Sequence, residues 1–385
     1  MSLERSIPPL PGGKRLDINA WAMAGVLVAM WTVLSLLPAT GGVFLTQGNL
    51  ASLLSQSAVL LVVGVGMTMV IIIRGIDLSV GAGVAVLGTI LWICHVKLGL
   101  PAPLAMILTI LAGAALGAWH GWWVAWLGVP AFIVTLAGYK YYRGGALVLS
   151  DAKSMVMGDD FAFLAGTVPA TITWAIVVGA LAVGIAVTLR DAQRRKTFGL
   201  APTSARTLAT QLLGMALLAG TLLAVFGGRG MPMLVVIAGA VAAGGAFLTK
   251  RTRFGRHLFA IGGNPEAARL SGVDVKRVTM GVYMILGVLT AVAGLMLAAR
   301  VNGVTPGSQG NNLELDAITA VVIGGTSLLG GRGSVVGTVL GTLVFATLAN
   351  GMNLLRIDSN MQWIFSGVIL LVAVLIDVIS KGKRS

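Results

Sequence analysis

Two opposite charges stand close together inside a long apolar stretch of the sequence. Arg74 and Asp77 follow the run VIII, and Ser79 and a second apolar run come directly after them. Charges in apolar surroundings are costly, so they usually pair with each other or face a cavity. The i, i+3 spacing permits an ion pair or a cap if a helix continues through both. The other interpretation is a role in a path or gate, and the residue types leave both interpretations open.

Other residues that could do chemistry are scarce. The sequence contains no G-x-x-x-x-G-K-[ST] phosphate loop and no nucleophile beside a base, and its carboxylates form no catalytic cluster. The three histidines lack the spacing of metal ligands, and Cys94 is the only cysteine, which excludes a disulfide framework. We therefore expect a chain that is not an enzyme and carries no cofactor or metal.

The composition places the chain in a bilayer. Of its 385 residues, 57% are hydrophobic and 10% are charged, which leaves too little polar surface to cover a soluble globule. The net charge of +14 could suggest nucleic acid. However, the cations cluster between apolar blocks, where they would face lipid headgroups and the cytoplasm. We expect membrane lipid as a partner and no nucleic acid.

Twelve apolar blocks approach the roughly 20 residues that a helix needs to cross the hydrocarbon layer. The sequence therefore predicts an all-α polytopic membrane protein of about twelve segments. Glycines and polar residues interrupt several blocks, and a re-entrant pair would lower the number of crossings by two. The predicted segments are 19–38, 50–73, 79–96, 102–127, 130–149, 170–189, 207–226, 231–249, 278–299, 315–330, 335–350 and 362–379.

The cations give an independent test of that topology. Four clusters hold 18 of the 27 Lys and Arg residues: the N-terminus, 190–206, 250–277 and the tail. The positive-inside rule places all four in the cytoplasm, so the intervals between them must contain even numbers of crossings. The segments give six, two and four. We predict a cytoplasmic N-terminal segment at 1–18, a transmembrane domain at 19–379 and a cytoplasmic tail at 380–385.

An internal repeat appears when the chain is offset by 250 residues. VIIIRGIDLSVGAGVAV at 70–86 overlays AVVIGGTSLLGGRGSVV at 320–336, with three glycines and one leucine in register. Because each glycine disfavours an isolated helix, the two stretches indicate either tight helix packing or a break in the helix. The candidates for a path or gate come from these stretches: Arg74, Asp77, Ser79, Thr326 and Ser327.

A short charged helix is predicted in the loop at 250–277. Asn264 is a preferred N-cap, Pro265 suits the first helical position, and Gly272 follows the last turn as a C-terminal glycine would. Helices this short are unstable alone in water. Either a soluble partner or the headgroup layer must hold it, and an apolar face of Ala267, Ala268 and Leu270 could serve for docking.

Three motifs together resemble a known family. GIDLSVG at 75–81, AIGGNPEAARLSGV at 260–273 and ELDAITAVVIGGTSLLGGRGSVVGT at 314–338 are similar to the integral membrane subunit of bacterial ABC sugar importers, the ribose/xylose/galactose permease family. The resemblance implies a homodimeric permease in the bacterial inner membrane. It also implies a cytoplasmic ATPase, which binds ATP and magnesium, and a periplasmic sugar-binding protein as partners.

The resemblance also gives the short loop helix a role. In that family the corresponding loop is the coupling element that the ATPase grips. The coupling residues that it implies here are Asn264, Glu266, Ala267, Ala268, Arg269, Leu270, Ser271 and Gly272.

The xylose permease branch is the most similar within the family. Ribose-type members look like this chain without one apolar pair, about 171–226, which leaves a ten-segment core. That extra pair and GAWHGWWVAW at 117–126 resemble the xylose branch, so we expect D-xylose as the substrate, with ribose or another monosaccharide as the alternative. A rival of another class is a self-sufficient proton- or sodium-coupled transporter, for which Asp77 is the best acid.

Overall fold

The computed structural model describes residues 18–382, with side-chain environments for residues 22–379. Of the predicted N-terminal segment 1–18 the structure describes only residue 18, and of the predicted tail 380–385 it describes the backbone of 380–382 as the end of a helix. Within them the chain is all-α apart from four two-residue strands. The helices are α1 Ile18–Leu36, α2 Gln47–Ile72, α3 Val80–Trp92, α4 Ala102–Ala125, α5 Ala131–Leu149, α6 Ala162–Ala165, α7 Ala170–Thr197, α8 Ala205–Phe226, α9 Met233–Arg251, α10 Arg253–Gly263, α11 Pro265–Leu270, α12 Val275–Arg300, α13 Leu313–Ile323, α14 Val335–Leu354 and α15 Ser359–Gly382. The strands are β1 Met155–Val156, β2 Thr167–Val168, β3 Met231–Pro232 and β4 Gly303–Val304.

Nine helices among the described residues are long and apolar enough to cross a membrane. They are α2, α3 with its π-helical extension to Lys97, α4, α7, α8, α9, α12, α14 and α15. A helix of about 20 residues spans the hydrocarbon layer. The prediction of an all-α polytopic membrane protein is confirmed.

Each of the twelve predicted segments coincides with a helix, but three of these helices do not meet the criterion for a span. The described apolar part of α1, Ala22–Leu36, is short, and α5 carries Lys140 and Arg143 near its middle. The predicted segment 315–330 is wrong at its end, because α13 stops at Ile323. The number of crossings stays a prediction.

Local signals in the sequence fix where many of these helices begin. A proline stands at the N-cap of α4, α5, α7 and α9, where its missing N–H removes no helical hydrogen bond. Side-chain oxygens of Thr46, Ser204, Ser334 and Asp274 accept from backbone N–H groups in the first turns of α2, α8, α14 and α12.

The chain divides into two compact units, and the larger one comprises residues 23–167 and 232–385. Its centre is α2. In the most apolar 18-residue stretch of this helix, 83% of the residues are buried. Buried residues of α12 and α13 belong to the same apolar core. At the start of α2, Asn49 and Asn350 of α14 exchange side-chain hydrogen bonds of 3.0 and 2.9 Å. Strand β1 pairs antiparallel with β4, with Met155 opposite Val304.

Small residues bring α4 against α12. A Cβ added at Gly113 or Gly117 would collide with the backbone oxygen of Gly287 or Tyr283, and one at Gly121 would lie 2.8 Å from Met280 Cα. The backbones therefore approach as closely as in other small-xxx-small membrane pairs. The four-residue spacing of Gly113, Gly117 and Gly121 thus forms a packing ridge on α4.

The smaller unit contains residues 168–231, with the antiparallel pair α7 and α8. Trp174 donates to the carbonyl oxygen of Gly227 at 3.1 Å, and Thr173 accepts from the Met231 N–H at 3.0 Å. These two helices coincide with the extra pair, about 171–226, that the resemblance to the xylose permease branch implies. Their role as an addition to a ten-segment core stays a prediction.

Candidate functional site

The short helix predicted in the 250–277 loop is α11. The Asn264 Oδ1 atom accepts from the N–H groups of Glu266 and Ala267, both at 3.0 Å. Gly272 follows with a φ of 83°, in the left-handed region that favours glycine. Both predicted caps are therefore confirmed, and the residues between them form six helical positions.

The two faces of α11 differ in what they contact. Ala268 is 4% exposed and packs with Ile261 and Val278, which fastens the helix to the larger unit. Leu270 is 75% exposed. The predicted apolar face of Ala267, Ala268 and Leu270 is thus wrong, because Ala268 lies inward while Ala267 and Leu270 lie outward.

An ion pair covers part of the outward face of α11. Arg269 donates to both carboxylate oxygens of Glu266, at 2.7 and 3.2 Å. This contact lowers the pKa of the Glu266 carboxyl and raises the pKa of the Arg269 guanidinium. Because both side chains lie in solvent, such a pair contributes little to stability. It leaves one negative and one positive group presented on an exposed turn.

Arg74 joins the end of α2 to the loop that carries α11. Helix α2 ends at Ile72, and Arg74 lies just beyond it with a φ of 67°. Its Nε donates to the Gly262 carbonyl oxygen at 2.8 Å, and its terminal nitrogen donates to the Gly263 carbonyl. These carbonyls end α10, where a cation is favoured by the helix dipole.

The second helix break lies against the first. The Gly331 N–H donates to the Ile72 carbonyl oxygen at 2.9 Å. A Cβ added at Gly262 would collide with that same carbonyl and lie 2.5 Å from the Gly331 nitrogen. We call Ile72, Arg74, Gly262 and Gly331 the break junction. The repeated glycines predict either a helix break or tight packing, and both occur. The helices break at both places, and the backbones approach closely there.

Asp77 lies in a different environment from Arg74. The predicted pairing of Arg74 with Asp77 is wrong, because the helix does not continue from one to the other. Instead, Asp77 Oδ1 accepts from the N–H and the Oγ of Ser79 at 2.8 and 2.6 Å, and Asp77 Oδ2 lies 3.8 Å from His120 Nδ1. Asp77 is 3% exposed, so its carboxyl group is removed from solvent.

A polar cluster surrounds Asp77 inside the bundle. His120 Nε2 lies 2.7 Å from the hydroxyl of Tyr141 and 3.1 Å from that of Tyr142. The cavity between these groups has a volume of about 20 Å³, enough for about one water molecule. Tyr283 lines this cavity, and its buried hydroxyl has no hydrogen-bond partner among the residues that the structure describes. The cluster is too small for an organic solute.

Thr326 and Ser327 shape the second break. The Ser327 Oγ accepts from the Leu329 N–H at 3.2 Å, and the Ser327 N–H donates to the Arg332 carbonyl at 3.0 Å. Both residues are buried, at 0% and 2% exposure. The structure therefore places Arg74, Thr326 and Ser327 in the two breaks, and Asp77 and Ser79 in the polar cluster. A path or gate role for the five stays a prediction.

Sequence reasoning missed the contacts that join these parts. Arg74 and Gly262 are 188 positions apart, and Asp77 and His120 belong to different segments. Only the contact between Asp77 and Ser79 had a local signal, because an Asp side chain readily bonds the backbone two residues ahead.

A polytopic helical protein with two broken helices joined to an exposed, capped loop helix has the architecture of a membrane permease. A family comparison agrees: residues 49–374 match the family described as branched-chain amino acid transport system / permease component. The chain belongs to this family. It is a transport component rather than an enzyme.

Sugar permeases are among its relatives. The chain is 40% identical to the xylose transport system permease protein XylH of Escherichia coli K12, over 97% of this chain and 96% of that protein. The xylose transport system permease protein XylH of Haemophilus influenzae is 39% identical over 96% of this chain and 99% of that protein. The ribose import permease protein RbsC of Escherichia coli K12 is 34% identical over 95% and 97%. No solved structure matches the chain.

Proposed function

We propose that this chain is the membrane-spanning subunit of an ATP-binding-cassette importer that carries a monosaccharide, D-xylose, into the cell. One observation carries the proposal. The similarity to xylose permeases extends over 97% of the chain, so it includes the helix breaks, the α11 loop and the extra pair α7 and α8. Ribose is the second candidate substrate, because the similarity to ribose permeases is nearly as long.

The surroundings of the chain follow from this proposal. The protein lies in the bacterial inner membrane as a homodimer with both termini in the cytoplasm. A cytoplasmic ATPase binds ATP and magnesium, and a periplasmic binding protein supplies the sugar. The transmembrane domain at 19–379 comprises a ten-segment core, the extra pair at about 171–226 and the cytoplasmic coupling loop at 250–277.

The contacts of α11 support a coupling role for residues 264–272. Its outward face presents Leu270 and the charges of Glu266 and Arg269, whereas Ala268 holds it to the bundle. The end of the preceding helix α10 accepts a hydrogen bond from Arg74 and lies beside Gly331. A displacement of α11 by the ATPase would therefore act directly on the break junction.

The mechanism that this arrangement suits is alternating access. ATP-driven closure of the partner moves α11, and the break junction passes that displacement to the ends of α2 and α13. Packed interfaces switch between discrete arrangements rather than deform continuously. The path then opens alternately to each side, and Arg74, Asp77, Ser79, Thr326 and Ser327 are the proposed path or gate residues.

Reconstitution of the whole complex tests the proposal. The permease is combined in proteoliposomes with the ATPase and with either the xylose- or the ribose-binding protein, and ATP hydrolysis and sugar uptake are measured. We expect xylose and its binding protein to stimulate both. Accumulation of sugar against a gradient by the permease alone would overturn the proposal, and stimulation only by ribose would change the substrate.

A further inference from the structure

A cavity of about 310 Å³ opens at the end of the larger unit opposite the break junction. Its walls come from the first half of α2, the end of α12, the start of α13 and the second half of α14. Helix α12 runs between the two ends: Val278 packs beside α11, and Arg300 lines the cavity. At 1.5 Å per residue these positions are roughly 33 Å apart. If α11 is cytoplasmic, the cavity faces the outside.

The lining of the cavity combines unpaired polar groups with an apolar surface. Within the described residues, the side chains of Gln56, Arg300 and Asp316 make no hydrogen bond or ion pair. The apolar groups of the lining include Leu60 and Phe345. The cavity therefore offers an amide, a guanidinium and a carboxylate together with hydrocarbon and aromatic surface.

This mixture suits a monosaccharide. Sugar hydroxyls both donate and accept, so a carboxylate, an amide and a guanidinium can each bond one. The C–H faces of the ring pack on apolar and aromatic side chains. The volume lies at the lower end of the range for small-molecule pockets, which matches a single sugar ring better than a larger solute.

The outer wall of the cavity is held in place by Arg143 of α5. Its guanidinium donates to the carbonyl oxygens of Pro306 and Gln309 at 2.6 and 2.9 Å, and to Asn311 Oδ1 at 2.8 Å. Asn311 lines the cavity with Ser308 from the same loop. Three bonds from one planar cation fix the loop, so these groups are positioned before a ligand arrives.

Toward the break junction, α2 and α13 close against each other. Val62, Val63 and Val321 are all 0% exposed in the apolar core that lies beyond the cavity along these helices. Among the described residues, a solute in the cavity meets close-packed side chains in this direction. This is the arrangement expected of a path that is open to one side and shut to the other.

We propose that the cavity is the outward-facing binding site of the translocation path, and that it takes one pentose through Gln56, Arg300, Asn311 and Asp316. The inference rests on the proposed function and adds the residues that contact the sugar. Because the binding protein supplies affinity, the site need hold the sugar only weakly. Its polar groups remain partly open to solvent, which favours weak binding and fast release.

Thiol protection tests direct occupancy. In a Cys94→Ala background, Ser308→Cys places a reactive group in the cavity wall. Val301→Cys is the matched control, because Val301 is 58% exposed beside the end of α12 but lies outside the cavity. The complete complex in proteoliposomes is treated with a charged methanethiosulfonate reagent. We expect D-xylose to slow the labelling of Ser308→Cys several-fold, L-proline at the same concentration to have no effect, and neither solute to protect Val301→Cys.

Transport by Asp316→Asn and Arg300→Gln gives a second measurement, with Asp151→Asn as the exposed-charge control. Loss of a charge-assisted hydrogen bond should lower sugar uptake about tenfold. ATP hydrolysis stimulated by the loaded binding protein should persist. If either transport variant fails to reach the membrane, the labelling of Ser308→Cys still tests whether the sugar occupies the cavity.

The outcomes separate this inference from the proposed function. Normal uptake by both variants, with no xylose protection of Ser308→Cys, would overturn the sugar site and leave the importer proposal intact. Absence of sugar-dependent uptake and ATP hydrolysis in the unaltered complex would instead overturn the proposed function, and the site with it.

Discussion

The Nε of Arg74 lies 2.8 Å from the carbonyl oxygen of Gly262. Through this contact a residue directly after α2 holds the end of α10, two positions before the N-cap of α11. The break in α2 and the exposed loop helix are therefore one mechanical unit at their point of contact, although they are distant in sequence.

The first prediction concerns that contact. Replacing Arg74 with Ala removes two charge-assisted hydrogen bonds, each of which contributes about 1.5–3 kcal/mol. We expect sugar uptake to fall at least tenfold and the loaded binding protein to lose its stimulation of ATP hydrolysis. Basal hydrolysis by the bound ATPase should remain, since the outward face of α11 is unchanged.

Arg332→Ala is the matched control for Arg74→Ala. Arg332 is an exposed cation in the second break, and its side chain makes no hydrogen bond or ion pair within the described residues. Its replacement should leave uptake and stimulation near the values of the unaltered protein. Equal losses in the two variants would mean that positive charge at this end, and not the bond to Gly262, is what matters.

Sequence alone predicted the local parts of this arrangement. The residues that cap α11 lie within three positions of the backbone groups that they bond. The identities of Asn264 and Gly272 are therefore enough to predict both caps. The apolar blocks predicted a helix at every segment. The repeated glycines of 70–86 and 320–336 marked two positions where helices do end.

The partners of Arg74 and Asp77 could not be predicted in the same way. Spacing suggested that they pair with each other, but that requires a helix through Gly75, and Arg74 instead adopts a left-handed backbone conformation. Their actual partners are set by how distant segments pack. One chain without its tertiary contacts carries no signal that joins Arg74 to Gly262 or Asp77 to His120.

The second prediction tests the outward face of α11. Leu270 is 75% exposed, and we propose that the ATPase covers it. Leu270→Asp should weaken copurification of the ATPase and lower sugar-stimulated hydrolysis at least tenfold, because a carboxylate would be buried in an apolar contact. The permease itself should stay folded, since Leu270 contributes little to its core.

Glu266→Lys is a companion variant on the same face. It breaks an exposed ion pair with Arg269, so thermal stability should change by less than about 1 kcal/mol, while coupling is lost. Glu266→Gln, which keeps the shape of the side chain, is the control and should retain most of the coupling. If Leu270→Asp and Glu266→Lys both kept full uptake and hydrolysis, α11 would not be the coupling element.

The third prediction concerns packing between α4 and α12. An added Cβ at Gly117 would collide with the Tyr283 carbonyl, so Gly117→Ala should destabilise the protein by about 1–3 kcal/mol. Gly239→Ala on α9 is the control, because no atom of the described part of the chain lies within 4 Å of its added Cβ. That change should be neutral or slightly stabilising. Thermal unfolding in detergent measures both, and similar melting temperatures would contradict the close packing.

The fourth prediction separates ATP-driven import from proton coupling. Asp77 is buried, 3.8 Å from His120 and bonded to Ser79, which is where a coupling proton could reside. Asp77→Asn keeps an oxygen acceptor for Ser79 but cannot carry a proton. We expect ATP-dependent uptake to persist in this variant, and uptake by the unaltered complex to be insensitive to a protonophore.

Asp77→Ala provides the comparison for a structural role. It leaves the buried Ser79 hydroxyl without its acceptor, which should destabilise the protein by about 1–3 kcal/mol, and a lower melting temperature in detergent would register this. If the role of Asp77 is structural, only Asp77→Ala should have the lower melting temperature, because only alanine removes the acceptor. If Asp77 instead carries a proton, both variants should lose sugar uptake. A protonophore would then also stop uptake by the unaltered protein. That second pattern would show that the buried acid, and not the cytoplasmic ATPase, drives transport.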